Sequence, residues 1–363
     1  MKNQVHQGII ALFLLSTINS QLSTCFAQGS LTPPPGAPAP TMKSLDQVEA
    51  RTIVNAANTP GDVTGLYNIS QAGSYYLTTN LTGVSGKNGI KITANNVTLD
   101  LNGFVMQGVS GSSNGIWIPN ASTNITIRNG TVSGWGTDGV SNTSSSAGNL
   151  VCERLNVSAN NEDGIGLSGS GAVRDCNIQK NNRAGINCPG SGGLLISGCT
   201  ASANGLNGIN VGNGCNIKDC VSSTNGLAGI ALGNNCSVKD CAESGNGYVG
   251  IEVGNNCSVK DCTSSANSSD GILVNGSNCL ITGNTCSGNG SIGILIAGGQ
   301  NRIDNNSVGN NTSYGIYPNN MNVANNITRN SSPGPGYGNF PGNNDYAPIG
   351  SPSTSTNPWQ NFQ

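Results

Sequence analysis

The dipeptide Gly-Ile, once Gly-Val, returns eleven times along this chain, at Gly89, Gly115, Gly139, Gly164, Gly185, Gly208, Gly229, Gly250, Gly271, Gly293 and Gly315. The intervals run from 21 to 26 residues and settle at 21 or 22 after Gly208. A near-constant period of this length means one structural unit stacked on copies of itself. The position twelve before each Gly is apolar from Ile127 through Cys152, Val173 and Ile196 to Ile303. Between these columns polarity alternates in bursts of three, as in Ile209-Asn210-Val211 and Ile251-Glu252-Val253, broken by turns such as Gly212-Asn213-Gly214. That is the period of a strand, and no helix-length apolar period lies between the repeats. Leucine-rich and ankyrin-type solenoids are therefore excluded. About 22 residues carrying three short strands form one rung of a parallel β-helix. Ten to eleven rungs at about 4.8 Å each give a stack roughly 50 Å long.

Composition agrees with a stack better than with a globule. Charged residues are 9% and aromatics 4%, too little for a conventional core and a charged surface. The 53 glycines show no period of three, which excludes collagen. Fifteen basic residues against 17 acidic ones leave no positive surplus for phosphates, which argues against nucleic acid as a partner. Lys2 followed by the apolar run Ile9 to Leu15 is too short to span a bilayer and reads as a signal peptide, residues 1–27, cut after Ala27. The rival is a lipobox ending at Cys25, for which Thr24 is a poor fit. Cleavage would remove His6, the only histidine, and leave 14 basic and 17 acidic residues. A Pro-rich spacer with one short helix, Thr41 to Arg51, is expected over 28–61. The β-helix occupies 62–330, and a Pro/Gly/Asn-rich cap or tail follows over 331–363.

The rungs, for instance Gly229-Ile230-Ala231-Leu232-Gly233-Asn234-Asn235-Cys236-Ser237-Val238-Lys239-Asp240-Cys241, resemble the right-handed β-helix repeats of the pectin-lyase-like superfamily. That resemblance implies an all-β, right-handed parallel β-helix with an inward Asn stacked at one corner. Asn284 and Asn306 match that column, and Cys176, Cys199, Cys220, Cys241 and Cys262 replace Asn in other rungs. Cys215, Cys236, Cys257 and Cys279 form a second column. All twelve cysteines beyond Cys25 stand where core residues belong, so packed free thiols are expected in place of a disulfide framework. Lys218, Lys239 and Lys260 beside Asp219, Asp240 and Asp261 are expected as outward columns of opposite sign. Glu243 falls in an inward column between Ser222 and Ser264, and these small polar neighbours suggest a local opening through which it reaches solvent.

The resemblance covers enzymes and non-catalytic proteins alike, so it implies no activity by itself. Motifs of polygalacturonases, pectate lyases and mannuronan epimerases (Gly-His-Gly, Trp-Ile-Asp-His, Asp-Pro-His) are absent. Two readings stand. One is a secreted, non-catalytic β-helix with a surface, adhesive or glycan-contact role, its partner an extracellular or cell-surface polysaccharide. The other is a polysaccharide-active enzyme, a lyase, a glycoside hydrolase or an epimerase-like enzyme, that uses carboxylates without histidine. The longest rungs end at Gly115, Gly139 and Gly164, and added loop length is where rigid scaffolds carry function. Candidate catalytic groups there are Asp138 and Asp163, one rung apart, with Glu162 alongside. Candidate substrate contacts are Trp117 and Trp135, expected to be exposed for stacking on sugar rings, and Arg183, expected to meet a sugar carboxylate. No cofactor is indicated. Close carboxylates could draw in Ca²⁺, but Asp before Gly is also ordinary turn chemistry, repeated at Asp270.

Overall fold

A computed structural model describes residues 50–190, 193–319, 325–328 and 330–331, with the backbone of 345–346, 349–350 and 361–362. The expected leader and helix lie outside these residues, except for Ala50 and Arg51. The chain winds as an all-parallel β-solenoid. Each turn contributes one strand to a 12-stranded sheet that runs from Gly65–Ile69 to Ile316–Pro318. The count exceeds the ten to eleven expected because the first turn, at Gly65, lacks the Gly-Ile mark. Two further strands per turn, such as Asn216–Lys218 and Val221–Ser223, build the other wall. Only two residues separate them. Asp219, Asp240 and Asp261 take that corner at φ of 52 to 55°, a left-handed conformation that Asp and Asn tolerate.

Register follows the columns read from the sequence. Ile209 pairs with Ile230 and Ile230 with Ile251, and the inward side chains fuse into one core from Val54 to Ile327. No single rung could bury these side chains; stacking removes both of its faces from water. The repeat Gly answers to close approach between rungs. A Cβ on Gly185 would stand 2.6 Å from the Gly208 carbonyl oxygen and 2.8 Å from Asn204 Nδ2.

Side-chain ladders hold the corners. Asn160, Asn181, Asn204, Asn225, Asn246, Asn267, Asn289 and Asn311 stack four places before the repeat Gly, each amide donating to the next Oδ1 at 2.9–3.0 Å. The sequence reading missed this ladder, although eight Asn at one column position are visible once the rungs are aligned. The ladder it expected is present too: Asn284 donates to Asn306, and Asn306 to Asn330. The twelve described cysteines are all buried and unbridged. Burial pushes the Cys152 thiol up to about 12 and Cys188 up to about 11. Outside, Lys218, Lys239 and Lys260 meet Asp219, Asp240 and Asp261 at 3.8, 2.9 and 3.8 Å.

Glu243 overturns the expectation of a local opening. It lies fully buried in register between Ser222 and Ser264. Both carboxyl oxygens lack a hydrogen-bond partner. The serines close the wall instead of opening it, since each hydroxyl donates inward to a backbone carbonyl, Gly229 and Gly271, at 2.7 Å.

The last described strands differ on the two walls. Asp345–Tyr346 pairs with Asn326 and Ile327 on the two-strand wall. On the 12-stranded sheet the last described strand is Ile316–Pro318.

Candidate functional site

The outer face of the 12-stranded sheet carries one column of outward residues: Lys91, Trp117, Ser141, Gly166, Asn187 and Asn210 are consecutive register partners. Beside it runs the position just before each repeat Gly. Here the Asn and Asp side chains capture a backbone N–H of the next rung. Asn114 N–H donates to Asn88 Oδ1 at 3.0 Å, Asp138 N–H to Asn114 Oδ1 at 3.2 Å, Asp163 N–H to Asp138 Oδ1 at 3.0 Å, and Ala184 N–H to Asp163 Oδ1 at 2.9 Å. The two aspartates thus continue a ladder begun by two asparagines. Asp270 makes the same bond to Ile292 N–H at 2.9 Å.

Between these columns lies an open depression of about 320 Å³ whose lining includes Asp138, Ser141, Glu162, Asp163, Arg183 and Asn187. Four of the six candidate residues therefore meet at one place. Its floor is low because Gly166 has no side chain; a Cβ there would stand 3.2 Å from Asp138 Oδ2. Burial pushes the Asp138 carboxyl above the ordinary carboxylate range, the Ser141 hydroxyl and Asp163 N–H pull it back, and the Asp163 and Glu162 carboxylates push it further up. Asp163 is buried, and its Oδ2 accepts the Asn187 amide at 2.6 Å. Arg183 Nη1 sits 3.8 Å from Glu162 Oε2, and both side chains are about half exposed. The guanidinium is thus loosely tied to Glu162 beside the depression.

The two tryptophans part company. Trp117 points outward as expected, half-buried, with Lys91 Nζ 5.6 Å from its ring centre. It is the register partner of Ser141, one rung below the depression. Trp135 corrects the expectation of an exposed stacking platform: its indole is turned inward and buried. The rungs below leave room for it, since Cβ atoms on Gly83, Gly89 and Gly115 would stand 3.0, 2.6 and 3.0 Å from the ring. Its Nε1–H donates to the Met106 carbonyl at 3.1 Å. A second depression, about 460 Å³, lies over this Trp135 turn and is lined by neutral groups such as Ser110, Asn161 and Asn182.

Chemically, the first depression offers oriented carboxylate oxygens, an amide and a hydroxyl on a rigid sheet. Among the described residues no group of three or more His, Cys, Asp or Glu is placed to hold a metal ion. No described helix is long and apolar enough to cross a membrane.

Comparison with known proteins bears on the fold. The A-module of the Azotobacter vinelandii mannuronan C-5 epimerase AlgE4 is 16% identical, with a TM-score of 0.62 over 76% of this chain and 91% of that one. The A-module of AlgE6 from the same organism is also 16% identical, with a TM-score of 0.49 over the same shares. The Dettilon tailspike protein gives 16% and 0.46 over 83% of this chain and 60% of that one. No curated protein matches the sequence. The family described as "Right handed beta helix region" matches residues 114–263 and 234–340, which together take in most of the solenoid. By that match, and by its parallel solenoid of rungs about 22 residues apart, the chain belongs to the right-handed β-helix family.

Proposed function

We propose that this chain is a glycan-contacting β-helix that binds, without turning over, a neutral, hydroxyl-rich polysaccharide in the depression at Asp138 and Asp163. One observation carries the reading. Asn88 and Asn114 do the same backbone-capturing work with a neutral amide, so the charge on Asp138 exceeds what that ladder requires, while Asp163 spends its second oxygen on the Asn187 amide. Surplus carboxylates in an open depression accept hydrogen bonds from sugar hydroxyls, and charge-assisted bonds are the stronger ones. Three carboxylates against one guanidinium disfavour a polyuronate, which departs from the expected pairing of Arg183 with an acidic sugar. A neighbour in fold named as a mannuronan epimerase supports polysaccharide contact in general, not that substrate. We place the contact outside the cytoplasm, following the leader read in residues 1–27.

The test is affinity electrophoresis against xylan, galactomannan and β-glucan beside pectate and alginate. The variant Asp138→Asn/Asp163→Asn keeps the backbone-capturing ladder, removes both charges and gives up the Asn187 bond to Asp163. Binding to at least one neutral glycan is expected, weakened about tenfold or more in the variant while its circular dichroism stays that of the folded protein. Undiminished binding, or preference for a uronate, would overturn the proposal. A second reading rests on Asp138 alone, whose carboxyl is held above the ordinary range and suits a general acid. New reducing ends or unsaturated sugars, lost in Asp138→Asn, would assign it.

A further inference from the structure

Beyond the depression the same sheet face changes character. A second apolar cluster, separate from the core, underlies it: Ala228, Val249 and Leu273 are buried, with the half-buried Ala231 and Leu295 packed against them. Leu227 and Tyr248 flank it at 44% and 42% exposure, and Tyr314 at 39% stacks on Tyr317 with ring centres 5.2 Å apart and planes at 16°. The outward column here reads Asn210, Ala231, Glu252, Leu273, Leu295 and Tyr317 in register. No Lys or Arg belongs to it, and Glu252 is bonded to the Asn275 amide at 2.8 Å.

Size decides what covers this strip. Strands of three residues make it about 10 Å wide, and five strands about 4.8 Å apart make it about 20 Å long. That is on the order of 200 Å², well short of the roughly 800 Å² per partner in a stable protein interface. A second copy of the chain is therefore a poor occupant. The strip has the outline of one extended saccharide chain, and pyranose rings lay their C–H faces on aromatic and aliphatic side chains. It also continues the face that holds the depression, with Asn187 and Asn210 between them.

We infer that the strip from Leu227 to Tyr317 is an extended binding track for a neutral polysaccharide running along the helix axis away from the depression. This rests on the proposed function and adds direction, length and a requirement for apolar sugar faces. The experiment compares trisaccharide and octasaccharide fragments of xylan, galactomannan and β-glucan by calorimetry. It uses wild type, Tyr248→Ser/Tyr314→Ser, and Leu280→Ser as an exposed apolar control on the other wall. The octasaccharide is expected to bind wild type about tenfold or more tighter than the trisaccharide. The tyrosine variant should lose that gain and keep trisaccharide affinity, and the control should keep both. Octasaccharide affinity unchanged in the folded tyrosine variant would overturn the track while leaving the depression intact. Equal affinity for both lengths in wild type would do the same. No binding of any fragment would remove the proposed function and the track together. A dimer in sedimentation equilibrium that the tyrosine variant dissolves would give the strip to a second copy instead.

Discussion

At residue 243 the chain places a carboxyl in its driest region with nothing to bond. Burial is the main force on it, and the thiol of Cys262 adds to the push, so the pKa stands well above the ordinary glutamate range. Cys241 and Cys286 are the other titratable groups it acts upon. The folded protein therefore holds a proton that the unfolded chain gives up near pH 4.3. The sign follows: stability from the neutral acid is whole below that pH and is lost as pH rises toward the folded pKa, at up to about 1.4 kcal/mol per unit. Chemical denaturation across pH 4 to 8 should show wild type losing stability relative to Glu243→Gln as pH rises. Parallel curves would mean that Glu243 is already paired or hydrated. The position was visible in the sequence, since the column alternates inward without exception. Serine in such a column is no mark of solvent, because Ser222 and Ser264 satisfy their hydroxyls on carbonyls inside the wall.

The structural elements of this protein are columns as much as strands, and two of them change residue type partway. Cys236 N–H approaches Cys257 Sγ at 3.5 Å, while Cys279 N–H donates to Asn301 Oδ1 at 2.8 Å in the same column. Cys257 Sγ reaches the Gly233 carbonyl at 3.2 Å, as the Asn301 amide reaches Gly276 at 3.1 Å. Thiol and amide thus do one task, accepting the N–H of the rung before and donating to a carbonyl two rungs below that acceptor's successor, with sulfur as the weaker acceptor. Cys257→Ala should cost about 1–3 kcal/mol by stranding a buried N–H. Cys257→Asn should recover at least half of that in urea denaturation. If the two variants were equal, the thiols would be filling space only. The column position of each Cys was legible because a solenoid repeats its own environment. The direction of Trp135 was not, because the space beneath it is made by Gly83, which belongs to no column, and by Gly89, whose place in the repeat marks close approach of rungs and not a pocket.

At the scale of the molecule, the period carried almost everything about architecture and little about use. Eleven marked glycines were enough to set register, whereas the depression depends on one missing side chain, at Gly166, and on charges placed on an existing ladder. The proximity of Asp138, Glu162 and Asp163 followed from counting, but the apolar strip did not, since Leu227 and Tyr248 fall two places before the repeat Gly, and Leu295 and Tyr317 two places after it. A stack of this kind is also an unfinished lattice, because nothing in a parallel rung prevents another from settling on it. Along each strand alternate N–H groups face the following rung, as Ile294 N–H does toward Gly315. Pro318, two places beyond Ile316 in the last described strand of its sheet, stands where the next such donor belongs and has none. Pro318→Val should restore it and raise concentration-dependent self-association in sedimentation velocity; unchanged behaviour would mean that the end is closed by other means. Length, in such a molecule, is then a property written into one chain and not one left to polymerisation: a proline makes the last described strand of this sheet a poor template for another copy's rung.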